Sequence, residues 1–178
     1  MKTIFIDVGG HLGQTLEEVT KSYYNFDSVY CFEPMYSEYE HLVKVYNDVA
    51  IILPYGLLDY TGNMKLYGLN ENMTSSIYAN KNDLINSDSV TESYAVDVSL
   101  WIEHNTDPDD IIIMKLNCEG SEVIILNRLV DNNLINRFNN IMIDFDILKV
   151  PGEEHQALNT IERIKASGFK SYSLAQEL

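Results

Sequence analysis

Cysteine is scarce in this chain. Cys31 and Cys118 are its only two, with no C-x-x-C pair, so neither a disulfide framework nor a zinc knuckle is expected and both thiols are expected reduced. Long apolar runs are missing too. The longest, residues 111–114 and 123–126, fall far short of a bilayer crossing, so no membrane span is expected. The first residues reach Asp7 without an apolar signal core or a small-residue cleavage site, which makes a cytoplasmic location the expectation. Positive charge is the third shortage. Lys and Arg number 12 against 27 Asp and Glu, a formal charge of −15. Without a Lys/Arg cluster, DNA, RNA and anionic membrane surfaces are not expected as partners. His11, His41, His104 and His155 show no metal-ligand spacing, so no zinc site is expected, while a magnesium ion on loosely spaced carboxylates stays open.

What remains is 178 residues, 46% hydrophobic and 11% aromatic. That suffices for a packed core and predicts one domain spanning 1–178. The apolar run 3–8 before Gly9-Gly10 reads as a buried strand and a tight turn, followed by a helix over 12–24. A strand at 28–32 stops at Glu33-Pro34, and a helix follows over 37–46. Residues 49–53 with the segment around 55–57 give a third strand, and 64–67 a short one after the turn 60–63. The polar, Asn- and Ser-rich stretch 68–89 reads as a long surface loop of the kind that often serves as a lid or binding segment. A strand at 94–98 and a helix at 99–104 precede 111–116, the most hydrophobic strand and a candidate sheet centre. A helix over 121–132, a strand at 140–145, a helix over about 153–166 closed by Gly168, and a strand at 169–174 complete the chain. The alternation predicts an α/β fold, a three-layer Rossmann-like sandwich with a mostly parallel central sheet and helices on both faces. Ligands of such sheets bind at the carboxyl ends of the strands, which points to residues 7–13, Glu33, Asp59 and residues 117–120.

The first of these loops, Asp7-Val8-Gly9-Gly10-His11-Leu12-Gly13, does not have the glycine spacing of a dinucleotide cradle. His11 and Gln14 stand where the second and third glycines of G-x-G-x-x-G would fall, which disfavours a nicotinamide oxidoreductase. An acidic strand end followed by glycines suits a ligand without phosphates. S-adenosylmethionine is one, with a carboxylate for backbone amides and a cationic amino group for an acidic residue. On the loop alone, an ordinary strand-to-helix turn capped by Asp7 explains the pattern equally well. Glu33 adds weight, because an acidic residue at the end of the second strand, about 20 residues on, is where a carboxylate grips ribose hydroxyls.

With Phe5-Ile6-Asp7-Val8-Gly9-Gly10-His11-Leu12-Gly13, Cys31-Phe32-Glu33-Pro34, Gly56-Leu57-Leu58-Asp59 and Ile113-Met114-Lys115-Leu116-Asn117-Cys118-Glu119-Gly120-Ser121-Glu122 together, the sequence resembles the FkbM-type methyltransferases. These form a branch of the class I S-adenosylmethionine-dependent enzymes with a Rossmann-like fold. The resemblance runs over about residues 4–174. It implies O-methylation of a sugar or small-metabolite hydroxyl, with S-adenosylhomocysteine as by-product. By position, Asp7, Gly9, Gly10, His11 and Gly13 would hold the methionine end of the cofactor. Glu33 with Pro34 would hold the ribose, Gly56, Leu57 and Leu58 the adenine side, and Glu119 would face the transfer site beside Asn117 and Lys115.

A sulfonium is already a good leaving group, so methyl transfer needs mainly an in-line hydroxyl and a group to take its proton. Glu119 is the leading base, ahead of Asp144 and His11, and Lys115 is placed to orient a carboxylate or a substrate oxygen. Each has a plainer reading: Glu119 as a helix-start carboxylate, Asp144 as a solvated strand end, Lys115 as an ion pair. Cys118 reads as a buried small residue rather than a nucleophile, and Tyr23, Tyr24, Tyr36, Tyr39 and Tyr46 as packing residues rather than a stacking platform. Asn117 stands where the family usually has an aspartate, and an amide cannot accept a proton as a carboxylate can. A second hypothesis is therefore a non-catalytic adenosyl-ligand-binding or interaction module on the same fold. The last strand at 169–174 leaves little room for a further antiparallel strand, an edge that homodimerisation would cover. The acidic balance favours a neutral sugar or small alcohol as acceptor.

Overall fold

A computed structural model describes residues 1–21, 24–68, 75–84 and 88–175. The opening apolar run forms β1 (Thr3–Val8) and leads through the glycine turn into α1 (Gln14–Val19). α1 is shorter than the 12–24 expected. It ends at Thr20, whose hydroxyl and backbone amide both donate to the Leu16 carbonyl, at 2.6 and 3.1 Å, closing the last turn locally. β2 (Ser28–Phe32) and α2 (Tyr36–Tyr46) follow as expected. The expected third strand is divided. Pro54, which cannot donate to a ladder, separates β3 (Ile51–Leu53) from β4 (Gly56–Leu58), and the two join different sheets.

The remaining elements are β5 (Gly62–Tyr67), β6 (Val90–Asp97), α3 (Val98–Asn105), β7 (Ile111–Leu116), α4 (Glu122–Asp131), β8 (Phe138–Ile143), α5 (His155–Ala166) and β9 (Tyr172–Leu174). Gly168, φ 86°, lies past the end of α5 in the left-handed region expected of a helix-terminating glycine. Six strands form a parallel sheet in the order β3-β2-β1-β7-β8-β9. A smaller sheet, β4-β6-β5, pairs β4 parallel and β5 antiparallel to β6. The sequence reading did not separate this second sheet from the first.

Both faces of the main sheet are covered, which is why its central strands read as continuous apolar runs. Ile4, Ile6 and Val8 of β1 pack with Trp101 of α3, Leu126 of α4 and Ile161 of α5. Phe5 points the other way, into a core with Leu16 of α1 and Leu42 of α2. Leu58, Met64, Leu66 and Ala95 of the small sheet form a third cluster that takes in Met35 and Ile77. The strand order reverses between β1 and β7, so a crevice opens at their carboxyl ends where the chain departs in opposite directions.

Candidate functional site

At that crevice the backbone is held by close approach. The amides of Gly9 and Gly10 both donate to the Phe32 carbonyl at 3.1 Å, and the Asn117 amide donates to Val8 at 3.1 Å. Gly9 has φ 89°, and a Cβ there would stand 1.9 Å from the Asn117 carbonyl oxygen, so no side chain is tolerated. Gly10 has no more room, with Cys31 Sγ 2.3 Å from its would-be Cβ. Gly13 packs against the Tyr46 ring on the α2 side.

The turn is then tied to Glu33. The amide of His11, itself left-handed at φ 49°, donates to Oε2 at 2.8 Å, and the Met35 amide donates to Oε1 at 2.9 Å. Only 6% of Glu33 is exposed. Burial pushes its pKa up to about 7, against the downward pull of the Met35 and His11 amides. Each carboxylate oxygen has a lone pair beyond the one used, so the group can still receive hydroxyls from the crevice.

The crevice holds a cavity of about 410 Å³, within the range of small-molecule sites. The predicted cofactor residues Gly9, Gly10, His11, Glu33, Pro34, Gly56, Leu57, Leu58 and Asn117 line it, and so do the predicted catalytic residues Lys115, Asn117 and Glu119. Its character is divided. Leu57, Leu58, Met64, Leu66 and Ile77 make an apolar end, while the glycine turn, Glu33, Lys115 and Glu119 make a polar one.

Two predicted residues stand behind the wall rather than in it. Gly13 is one; Asp7 is the other, fully buried and paired with Lys115 across the β1–β7 register. Lys115 Nζ lies 3.2 Å from Asp7 Oδ1 and 3.4 Å from the Gly9 carbonyl oxygen. Burial raises Asp7 to about 6, against the pull of Lys115. The lysine is thus both an ion-pair partner and a cavity-facing donor with a proton to spare.

A second left-handed turn, Glu119 (φ 59°) and Gly120 (φ 106°), leads from β7 into α4. Glu122 clamps it from inside. Fully buried, it accepts from the amides of Cys118 at 2.9 Å and Gly120 at 3.1 Å, and burial raises its pKa to about 7. The Cys118 thiol is pushed well above its usual range by burial and then by Glu122, which leaves little thiolate for nucleophilic chemistry.

Residues 75–84, part of the stretch read from sequence as a long surface loop, form no helix or strand and are fastened as a strap over this turn. Ser76 Oγ donates to the Glu119 carbonyl at 2.5 Å, and Lys81, its side chain fully buried, places Nζ 2.6 Å from Glu119 Oε2. Lys81 also binds Asp83, Asp83 reaches Lys149 at 3.1 Å, and Lys149 reaches Asp146 at 2.6 Å. The Glu119 carboxylate is therefore not free. Burial raises its pKa and Lys81 opposes the rise.

Ser76, Lys81 and Asp83 escaped the sequence reading. The available signal was that Lys81 is the only basic residue in the stretch 68–89. Tyr23 lies outside the described residues. Asp144 follows β8 and lines a separate, shallower chamber. Among the described residues no group of three or more His, Cys, Asp or Glu could hold a metal ion, and no helix is long and apolar enough to cross a membrane.

A parallel sheet whose strand order reverses between β1 and β7, with helices on both faces, is a Rossmann-like fold. The chain is similar to a solved structure of Methyltransferase FkbM from Methylobacillus flagellatus KT, with a TM-score of 0.54 at 14% sequence identity. The similarity covers 92% of this chain and 37% of that one, so this chain spans a little over a third of the other's length. No family model and no curated protein matches the sequence.

Proposed function

We propose that the chain is an S-adenosylmethionine-dependent methyltransferase of the FkbM type, built as one class I domain, that methylates a hydroxyl of a sugar or small metabolite. The observation that carries this reading is Glu33. It is a buried carboxylate at the end of β2, oriented by the amides of His11 and Met35 on the wall of a cavity whose glycine turn has no phosphate cradle. A ribose hydroxyl pair meets such a carboxylate well. The side-chain-free surface of Gly9 and Gly10 admits the amino-acid end, with the spare Lys115 proton directed to its carboxylate. Leu57, Leu58 and Met64 offer the base an apolar wall. Bound there, the cofactor supplies an electrophilic methyl group. Asn117 at the transfer end orients the incoming oxygen, and Glu119 sets the shape of the turn behind it.

Calorimetric titration with S-adenosylhomocysteine tests this reading. The wild type is expected to bind, and Glu33→Ala to lose at least about tenfold in affinity, the worth of a charge-assisted hydrogen bond. No binding by the wild type sinks the reading. A second one is favoured by Asn117, which brings an amide to the transfer site, and by the engagement of Glu119 with Lys81: an adenosyl-ligand-binding module without turnover. Cofactor binding with no methyl transfer to any hydroxyl acceptor would support it.

A further inference from the structure

The strap meets both the cavity and the second turn. Ser76 pairs with Tyr67 in both directions, its carbonyl accepting from the Tyr67 amide at 2.7 Å and its amide donating to the Tyr67 carbonyl at 3.0 Å, so the chain is locally extended and successive side chains alternate. Ser76 accordingly turns its hydroxyl to the Glu119 carbonyl, while its neighbours Ser75 and Ile77 line the cavity. Ile77 also packs against the Leu58, Met64 and Leu66 cluster of the small sheet. The Tyr78 ring then covers Gly120, 3.0 Å from where a Cβ would stand. Lys81 completes the seam. Its side chain is fully buried, and its ammonium is the one ion-pair partner of Glu119 among the described residues. A buried lysine is a costly way to fasten a loop that a hydroxyl and a backbone pair already hold. Asp83 has a second cation in Lys149 at 3.1 Å, so the charge that Lys81 alone compensates is the one on the cavity wall, Glu119.

We propose that Lys81 is a positioning residue for the bound cofactor: acting through Glu119, it latches the strap onto the second turn and so holds Ser75 and Ile77 against the ligand. This rests on the cofactor reading of the cavity. With the latch made, Ile77 closes the apolar end over the base, beside Leu57 and Leu58. With the latch broken, Ser76 still binds a main-chain oxygen that does not depend on the Glu119 side chain, so the fold survives and the wall loosens. The signature is kinetic. Glu33 and the glycine turn still capture the ligand, while the time it stays is set by the latch. Glu119 is thereby a counter-ion, its carboxylate committed to Lys81 rather than to an acceptor hydroxyl.

The test uses the whole chain with S-adenosylhomocysteine as probe, its association and dissociation rates measured for the wild type, Glu119→Gln, Lys81→Met and the double variant. Glu119→Gln keeps the size of the side chain and leaves Lys81 paired with Asp83, so it decides the matter even where Lys81→Met does not fold. Expected is dissociation about tenfold faster in each single variant, association changed less than about threefold, and no further acceleration in the double variant, because the two residues act as one unit. A lysine that merely supports the fold would lower the fraction of competent chain and leave the dissociation rate alone. Dissociation within about twofold of the wild type in Glu119→Gln, or two effects that multiply, overturns the proposal. Hydrogen exchange in the ligand-free chain separates the latch from the cofactor reading. The amides of Ser76, Tyr78 and Asn82, each hydrogen-bonded in the strap, are expected to exchange at least about tenfold faster in Glu119→Gln, with those of Gly9 and Gly10 unchanged. Unchanged exchange in the strap overturns the latch whether or not the ligand binds, whereas no binding by the wild type overturns the cofactor reading instead.

Discussion

The turn after β1 and the turn after β7 both leave a central strand through left-handed residues, and both are tied to a buried carboxylate that accepts two backbone amides, Glu33 at the end of β2 for the first and Glu122 of α4 for the second. They differ in what holds them from outside. The first is fixed by contacts too close to admit a side chain, Gly9 against Asn117 and Gly10 against Cys31. The second is fastened by a relay of charges from Glu119 through Lys81, Asp83 and Lys149 to Asp146. Steric contact is indifferent to salt and pH, whereas ion pairs respond to both. The steric hold on the first turn is therefore a constant beneath its titrating carboxyl, whereas the outer hold on the second is something solution conditions can adjust.

The largest effect that would sharpen this contrast is expected from Gly9→Ala. Overpacking against the Asn117 carbonyl combined with a left-handed backbone should cost about 4 kcal/mol in urea unfolding. A cost under about 1 kcal/mol would mean that the first turn is not sterically fixed. Next comes Lys81→Met, which leaves Glu119 uncompensated and Asp83 with Lys149 alone, and should cost roughly 3 kcal/mol. Adding Glu119→Gln should recover part of that, and a fully additive pair would break the relay.

Proton linkage acts on both turns in one direction. Glu33 and Glu122 titrate near 4.5 in the unfolded chain and near 7 in the fold, so folding favours their protonated forms. Their contribution is fully present below about pH 4.5 and is lost as pH rises toward 7, on the order of 2 kcal/mol for each carboxyl. Unfolding free energy should fall between pH 5 and pH 7, and Glu33→Gln should flatten the slope. Asp83, lowered by Lys81 and Lys149 against its burial, contributes the opposite way: its share is present above about pH 3.8 and is lost as pH falls further. The smallest effect is that of salt. Raising it to about 0.5 M should speed hydrogen exchange at Ile77 and Asn82 by less than about 1 kcal/mol equivalent and leave Gly9 and Gly10 unchanged.

Legibility in the sequence follows the same division. The main sheet was readable because β1 and β7 are buried on both faces and so appear as unbroken apolar runs. The placement of the glycine turn and Glu33 on one cavity wall was readable because it depends on residue type at a fixed distance along the chain. The small sheet was not, since Pro54 divides what looks like one strand and the partner of β4 lies about 40 residues away in β6. The strap was not readable either. Its burial depends on Lys81 meeting Glu119 across the fold, a pairing that no local period announces. For the same reason Glu119 stands out in the sequence as the leading base, with nothing nearby to announce Lys81.

The contact between Gly9 and residue 117 involves only main-chain atoms of the latter, and the Asn117 amide is likewise spent on Val8. The architecture of the switch point is thus indifferent to what residue 117 carries beyond its backbone. Its side chain is an exchangeable fitting in the cavity wall. Replacing the side-chain amide by a carboxylate would change the chemistry offered there while leaving the joint between β1 and β7 as it stands, so the character of the cavity wall can drift at this position without the joint registering the change.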